Sequence, residues 1–258
     1  MKDVLKIENL SFSYSSKVVL KNINLDVYEN DVLILLGPNG SGKTTLLKCI
    51  LGLLDCKLGD IKFYGKRITE YSKSELAKTI CFVPQLSSIT NNFLARDYVA
   101  LACTPYLRFY ETPGRAVYEK IDILAKEFDA SSLLNRSMQE LSGGEQQLIS
   151  IIKALAQDSP IIVLDEPTSA LDYGNQGKFL EYVKKLKSLG KTIIMSSHNP
   201  NHAFILKSKV CVIQDGSITY NGMADDIITE QMLEDVYKSR FCIMQDGGNI
   251  KSSVWRIN

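Results

Sequence analysis

Gly37-Pro38-Asn39-Gly40-Ser41-Gly42-Lys43-Thr44 fits the pattern G-x-x-x-x-G-K-[ST], and both flanks are the ones that pattern requires. Before it, Val32, Leu33, Ile34, Leu35 and Leu36 make an unbroken apolar run of strand length. After it, residues 44–53 carry apolar side chains at helical spacing. The glycines let the backbone curl so that successive N–H groups converge on phosphate oxygens, and the following helix turns its positive end the same way. Lys43 is placed to neutralise the β- and γ-phosphates of a nucleotide and the Thr44 hydroxyl to ligate Mg²⁺, with Thr45 beside it. A glycine-rich turn holding a chance lysine would satisfy the spacing without the flanking strand and helix.

Working outward, Ile161-Ile162-Val163-Leu164 and Thr192-Ile193-Ile194-Met195 read as two more buried strands. Between them Phe179, Leu180, Val183 and Leu186 form the apolar face of a helix over residues 176–189. Strand, helix, strand in this order predicts an α/β fold with a mostly parallel sheet covered on both faces. The first 30 residues and residues 60–64 hold short alternating strands, which suits an antiparallel edge. Residues 86–140 show two helical stretches, near 95–102 and 115–128, separated by a loop with Pro105, Pro113 and Gly114. That reads as a helical subdomain, about 86–157, inserted into the core of one domain spanning 1–258, with a C-terminal extension over about 223–258. No long repeat or low-complexity linker breaks the chain, so it holds one copy of the unit.

The 258 residues are 45 % hydrophobic and 23 % charged, enough to bury a substantial core. Thirty basic residues against 29 acidic ones leave a net charge of +1, which gives no argument for a nucleic-acid partner. No apolar run approaches the roughly 20 residues of a membrane helix, and the N-terminus has no signal-peptide core, so the expected location is the cytosol. The six cysteines are scattered with no Cys-x-x-Cys pair, and there are two histidines. Reduced, mostly buried thiols are expected rather than a zinc site.

Ile161 to Leu164 ends in two carboxylates, Asp165 and Glu166. A strand edge in this relation to a P-loop is where the second Mg²⁺ contact of a P-loop NTPase is held, which fits Asp165. Glu166, one residue on, projects differently and can activate a water in line with the γ-phosphate as general base. Downstream of the P-loop, Leu141-Ser142-Gly143-Gly144-Glu145-Gln146-Gln147 precedes a helix running to about Gln157. Ser142 and Glu145 form an S-x-x-E capping box, which by itself also reads as an ordinary helix start. The two glycines after the cap expose backbone N–H groups suited to a second phosphate contact.

In the order and spacing of the P-loop, this LSGGE stretch and the segment Asp165-Glu166-Pro167-Thr168-Ser169-Ala170-Leu171-Asp172, the chain resembles the ATP-binding cassette (ABC) family. The resemblance implies an ATPase using ATP and Mg²⁺. It implies that Tyr14 stacks on adenine, that Gln85 reaches Mg²⁺ and the attacking water, that Asp172 communicates across a dimer and that His198 contacts the γ-phosphate. Read without the resemblance, Tyr14 is also an edge-strand aromatic, Gln85 a turn residue after Pro84, and His198 a capping residue; His202 has no role in either reading. Ser142, Gly143, Gly144 and Glu145 would act on the nucleotide of a partner subunit, which implies a head-to-tail homodimer. Two departures stand out: Glu145 where glutamine is commoner, and Leu148 in place of a usual arginine.

Residues 95–107, 172–176 and 228–237 resemble the branch that imports iron-siderophores, haem and cobalamin. That implies two integral-membrane permease subunits, an extracytoplasmic substrate-binding protein, and a place on the cytoplasmic face of the membrane. Tyr98, Val99 and Leu101 also read simply as the buried face of a helix. An importer of another cargo, such as a metal ion, and a soluble cassette ATPase of repair or translation are the alternatives. The soluble class would need a coiled coil or a second cassette, and neither is visible. A non-hydrolysing nucleotide-binding module would be expected to lack Glu166 or His198, and both are present.

Overall fold

The structure, a computed structural model, describes residues 2–85, 92–108, 110–245 and 251–256. The chain divides into two compact units, Met1–Glu70 with Val183–Asn258, and Tyr71–Tyr182.

In the first unit, Val32–Leu36 lies between Thr192–Ser197 and Lys209–Gln214, and all three strands run parallel. Every residue of Val32–Leu36 and of Thr192–Ser197 is buried. Continuous apolar runs, rather than alternation, are what a parallel strand covered on both faces demands. Ser217–Met223 adds antiparallel to the outer side of Lys209–Gln214. The helix Lys43–Ile50 buries Leu46, Leu47, Cys49 and Ile50, and stops short of the expected Leu53 because Gly52 takes a left-handed φ of 67°.

A second, four-stranded sheet of this unit is antiparallel. Asp3–Tyr14 pairs with Lys17–Tyr28 on one side and Leu58–Phe63 on the other, and Lys66–Arg67 pairs with Leu58–Phe63. The expected short strands are thus two strands of 12 residues each, continued across bulges. Register shifts between Asp3 and Leu5 and between Ile7 and Leu10 interrupt the alternation, so that adjacent Val4 and Leu5 are both buried. Phe241–Gln245 and Lys251–Trp255 form a separate two-stranded hairpin.

In the second unit, Ile80–Val83 pairs parallel with Ile161–Leu164. The other described elements there are mainly helical: Lys73–Thr79, Ala95–Ala100, Arg115–Glu127 and Gly143–Gln157. The first expected helix passes at Leu101 into a 3-10 segment, Leu101–Tyr106, which accommodates Pro105. Gly114 caps the start of the second. The start placed at Leu86 for the insert lies outside the described residues. Among the described residues no helix is long and apolar enough to cross a membrane. The six cysteines are free thiols, four of them buried.

Candidate active site

Strand pairing determines what meets at the sheet edge of the first unit. Leu36 is level with Ser197 on one side and with Val212 on the other. Gly37 and His198 therefore leave the C-terminal ends of neighbouring parallel strands side by side, where open α/β sheets take their ligands. Gly37, Gly40 and Gly42 have φ of 148°, 79° and 110°. At Gly37 a Cβ would run into the carbonyl oxygen of Ile213 and come within 2.9 Å of Ser41 Oγ. At Gly42 it would stand 3.0 Å from Leu20 Cδ2. The loop thus curls tightly enough that side chains are excluded from its inner turn.

Lys43 is only 4 % exposed, and its ammonium donates to the carbonyls of Gly37 at 2.9 Å and Pro38 at 3.0 Å. The positive charge is held inside the curve of the loop. Ser41 Oγ is buried without a hydrogen-bond partner among the described residues. Such a group favours a polar ligand arriving at the loop. Pro38 is half-buried, Asn39 and Thr44 are exposed, and Thr45 is half-buried. Tyr14 ends its strand 44 % exposed, with its ring edge-on to Phe12 at 4.9 Å. It pairs with Lys17, and the strand that begins there also supplies Val19 and Leu20 to the surroundings of Gly42. One hairpin therefore links the exposed aromatic to the phosphate loop.

His198 is exposed just past Ser197. His202, which no sequence pattern supported, is 3 % exposed, and its Nδ1 lies 2.9 Å from Ser197 Oγ. Burial, followed by the proximity of His198, pushes the pKa of His202 down to about 4. It is a neutral, structural histidine at physiological pH.

In the second unit Val83 is level with Leu164, and Asp165 N–H continues the ladder by donating to Val83 O at 3.1 Å. Gln85 and the Asp165-Glu166 pair accordingly follow adjacent strand ends. Asp165 is 7 % exposed and Glu166 half-buried. Glu166 has a left-handed φ of 41°, unusual for a side chain of its size. Gln85 Nε2 donates to Ser169 Oγ at 2.9 Å, and that hydroxyl donates to the Glu166 carbonyl at 2.9 Å.

The capping box forms as its spacing predicts. Glu145 N–H donates to Ser142 Oγ at 3.4 Å and Ser142 N–H donates to Glu145 Oε2 at 2.7 Å. Arg136 Nη1 sits 3.0 Å from Glu145 Oε1. The Ser142 N–H first, then the Ser142 hydroxyl and Arg136, hold the Glu145 carboxyl below the usual glutamate range. Gly143 lies against Ala170 and Leu171, and a Cβ on Gly144 would meet the Asn175 side-chain amide at 2.9 Å. Asn175 is itself fixed by Asp172, through its N–H to Oδ1 and its Nδ2 to Oδ2, each at 2.8 Å. The glycine pair and the acidic segment thus form one packed cluster. Leu148 lines a cavity of about 410 Å³ together with Asp129, Gln147 and Lys178.

Sequence reading gave no role to Ser169, Asn175 or Arg136. The first two lie inside quoted motifs, so proximity to Glu166 and Asp172 was the available signal. Arg136 sits nine residues before Glu145 across a 3-10 turn, and no local pattern announces that pair.

The sequence profile of the family described as "ABC transporter" matches residues 20–169, which take in the phosphate loop, Gln85, the LSGGE stretch, Asp165 and Glu166. A protein of Haemophilus influenzae named as an uncharacterized ABC transporter ATP-binding protein is 35 % identical over 92 % of this chain and 90 % of its own length. A hemin import ATP-binding protein of Shewanella denitrificans is 34 % identical over 94 % of this chain and 97 % of its own. Among solved structures, an inward-facing transporter provisionally classed as of the metal-chelate type superposes with a TM-score of 0.88 and 28 % identity, over 100 % of this chain and 98 % of that one. The chain belongs to the ABC transporter family, as an ATP-binding, ATP-hydrolysing subunit.

Proposed function

We propose that this subunit drives the import of an iron chelate, haem or a cobalamin-type compound through separate integral-membrane permease subunits. The observation that carries the reading is similarity along nearly the whole chain to a hemin import ATP-binding protein, 34 % over 94 % of the residues. The superposition on a metal-chelate type transporter supports it. On this reading residues 1–258 work as a single ATPase domain, with a helical insert over about 86–157 and a C-terminal extension over about 223–258. It acts at the cytoplasmic face of the membrane and serves an extracytoplasmic substrate-binding protein through the permease pair.

The chemistry follows from the residues already placed. The curled glycines and the enclosed ammonium of Lys43 make a cradle for the β- and γ-phosphates of ATP. Thr44, Gln85 and Asp165 offer oxygen donors, the ligand type that suits Mg²⁺. Bound Mg²⁺ offsets charge on the phosphate oxygens. Glu166 takes the proton of the attacking water on its carboxylate, and His198 contacts the γ-phosphate. Tyr14 stacks on the adenine. Ser142, Gly143, Gly144 and Glu145 complete the site of a second copy, so the working unit is a head-to-tail homodimer. ATP closes the pair and hydrolysis releases it, a ligand-driven shift of population.

Uptake tests the cargo. Cells in which this chain is replaced by the Glu166→Gln variant should lose ATP-dependent accumulation of labelled iron chelate or haem, while sugar uptake continues. Undiminished iron-chelate and haem uptake would sink the assignment.

A further inference from the structure

Three residues beyond His198, Asn201 opens the helix Asn201–Leu206, and its side chain is committed to one residue of the C-terminal hairpin. Asn201 Oδ1 accepts from Ser253 N–H at 2.7 Å and from Ser253 Oγ at 3.0 Å, while Asn201 Nδ2 donates to Ser253 O at 3.2 Å. An amide oxygen has two acceptor sites, so Oδ1 is saturated by Ser253 alone. The helix packs on the strand Lys251–Trp255 through this contact.

The turn between Ser197 and Asn201 is closed from within as well. Asn199 N–H donates to Ser197 Oγ at 3.0 Å, and Asn201 N–H donates to Asn199 Oδ1 at 3.0 Å. His202 N–H donates to Asn199 O at 3.3 Å. A continuous series of hydrogen bonds thus runs from Ser253 through Asn201 and Asn199 to Ser197, and His198 is the exposed residue inside it. His198 leaves this turn exposed, from a backbone held on both sides of it by the series.

We propose that Asn201, anchored by Ser253, is a positioning residue for His198, and that the C-terminal hairpin thereby sets the rate of ATP turnover. The proposal rests on the reading of His198 as the γ-phosphate contact. Its consequence is specific: loosening the anchor lets the imidazole wander, which lowers kcat and leaves the affinity for ATP, governed by the phosphate loop, nearly intact. Asparagine is the residue that fits. Aspartate would keep the two bonds accepted by Oδ1 but set an oxygen against Ser253 O, and alanine would remove all three bonds.

The test is ATP turnover and ATP affinity of the full chain carrying Asn201→Ala, alone and together with His198→Ala. The expected result is a fall in kcat of about 10-fold, with KM for ATP within about 2-fold, and no further fall when Asn201→Ala is added to His198→Ala. Should Asn201→Ala fail to fold by circular dichroism, Ser253→Ala removes one of the three bonds. It should lower kcat by about 2-fold, again only when His198 is present. Wild-type kcat in the folded variant, or a loss that multiplies in full with that of His198→Ala, overturns the proposal. Wild-type turnover in His198→Ala itself overturns the reading of His198, and the proposal with it.

Discussion

Gln85 and Ser169 are joined by a 2.9 Å hydrogen bond, 84 positions apart in sequence, and the same Ser169 hydroxyl donates back to the Glu166 carbonyl. A residue without an assigned role thereby fixes both a side chain expected to meet Mg²⁺ and the backbone of the expected general base. Ser169→Ala should lower ATP turnover about 5-fold, the equivalent of roughly 1 kcal/mol for one such bond. Ser169→Thr keeps the hydroxyl and should recover most of the rate. Equal turnover in the alanine and threonine variants would argue that the hydroxyl does not matter.

Glu166→Gln keeps the size of the side chain and removes its basicity. Turnover should fall by about 100-fold or more, while ATP binding, read by a fluorescent analogue, stays near wild type. With ATP present the variant should elute as a dimer in size-exclusion chromatography. A variant that hydrolyses ATP at the wild-type rate would falsify the role of Glu166 as base.

The phosphate loop distinguishes its own glycines. Gly37→Ala sets a methyl group against the Ile213 carbonyl at a backbone φ of 148°. It should destabilise the fold by at least about 2 kcal/mol and abolish ATP binding. Gly40 has open space where a Cβ would stand, and a φ of 79°. Gly40→Ala should therefore cost only about 1–2 kcal/mol. Urea unfolding of the two variants checks the ordering, and the reverse order would contradict the close approach at Ile213.

Acid should find His202. Its pKa in the folded chain is pushed down to about 4 from the ordinary histidine value of 6.5, so the unfolded chain binds the extra proton between those values. The stabilisation is complete above about pH 6.5 and is lost as pH falls toward 4. Between pH 7 and pH 5 the loss from this group alone amounts to about 2 kcal/mol. Denaturant melts of the wild type and of His202→Asn across that range should show a shallower pH dependence in the variant. Parallel curves would place the acid sensitivity elsewhere.

Much of the architecture was legible because the parallel strands are wholly buried. Val32–Leu36, Ile161–Leu164 and Thr192–Ser197 announce themselves as apolar runs, and the phosphate loop and the capping box are local patterns with local geometry. The antiparallel sheet was harder to read, because bulges such as the one between Ile7 and Leu10 destroy the period-two signal over 12 residues. The hairpin Phe241–Gln245 with Lys251–Trp255 also passed unread, since its importance lies in Asn201, some 50 positions upstream. Side-chain bonds such as Gln85 to Ser169 and Arg136 to Glu145 depend on strand ends and turns brought together by folding. Composition and spacing carry no trace of them.

The contact between Gly144 and Asn175 also constrains how this chain could drift. Bulk gained at position 144 has to displace the Asn175 amide, which stands 2.9 Å from where a Cβ would go. Trimming the Asn175 side chain in turn releases Asp172 Oδ2, while the Asn175 backbone N–H still holds Oδ1. Gly144, Asn175 and Asp172, drawn from two separate motifs, are thus coupled through one side-chain amide, so the effects of changes at positions 144 and 175 should not simply add.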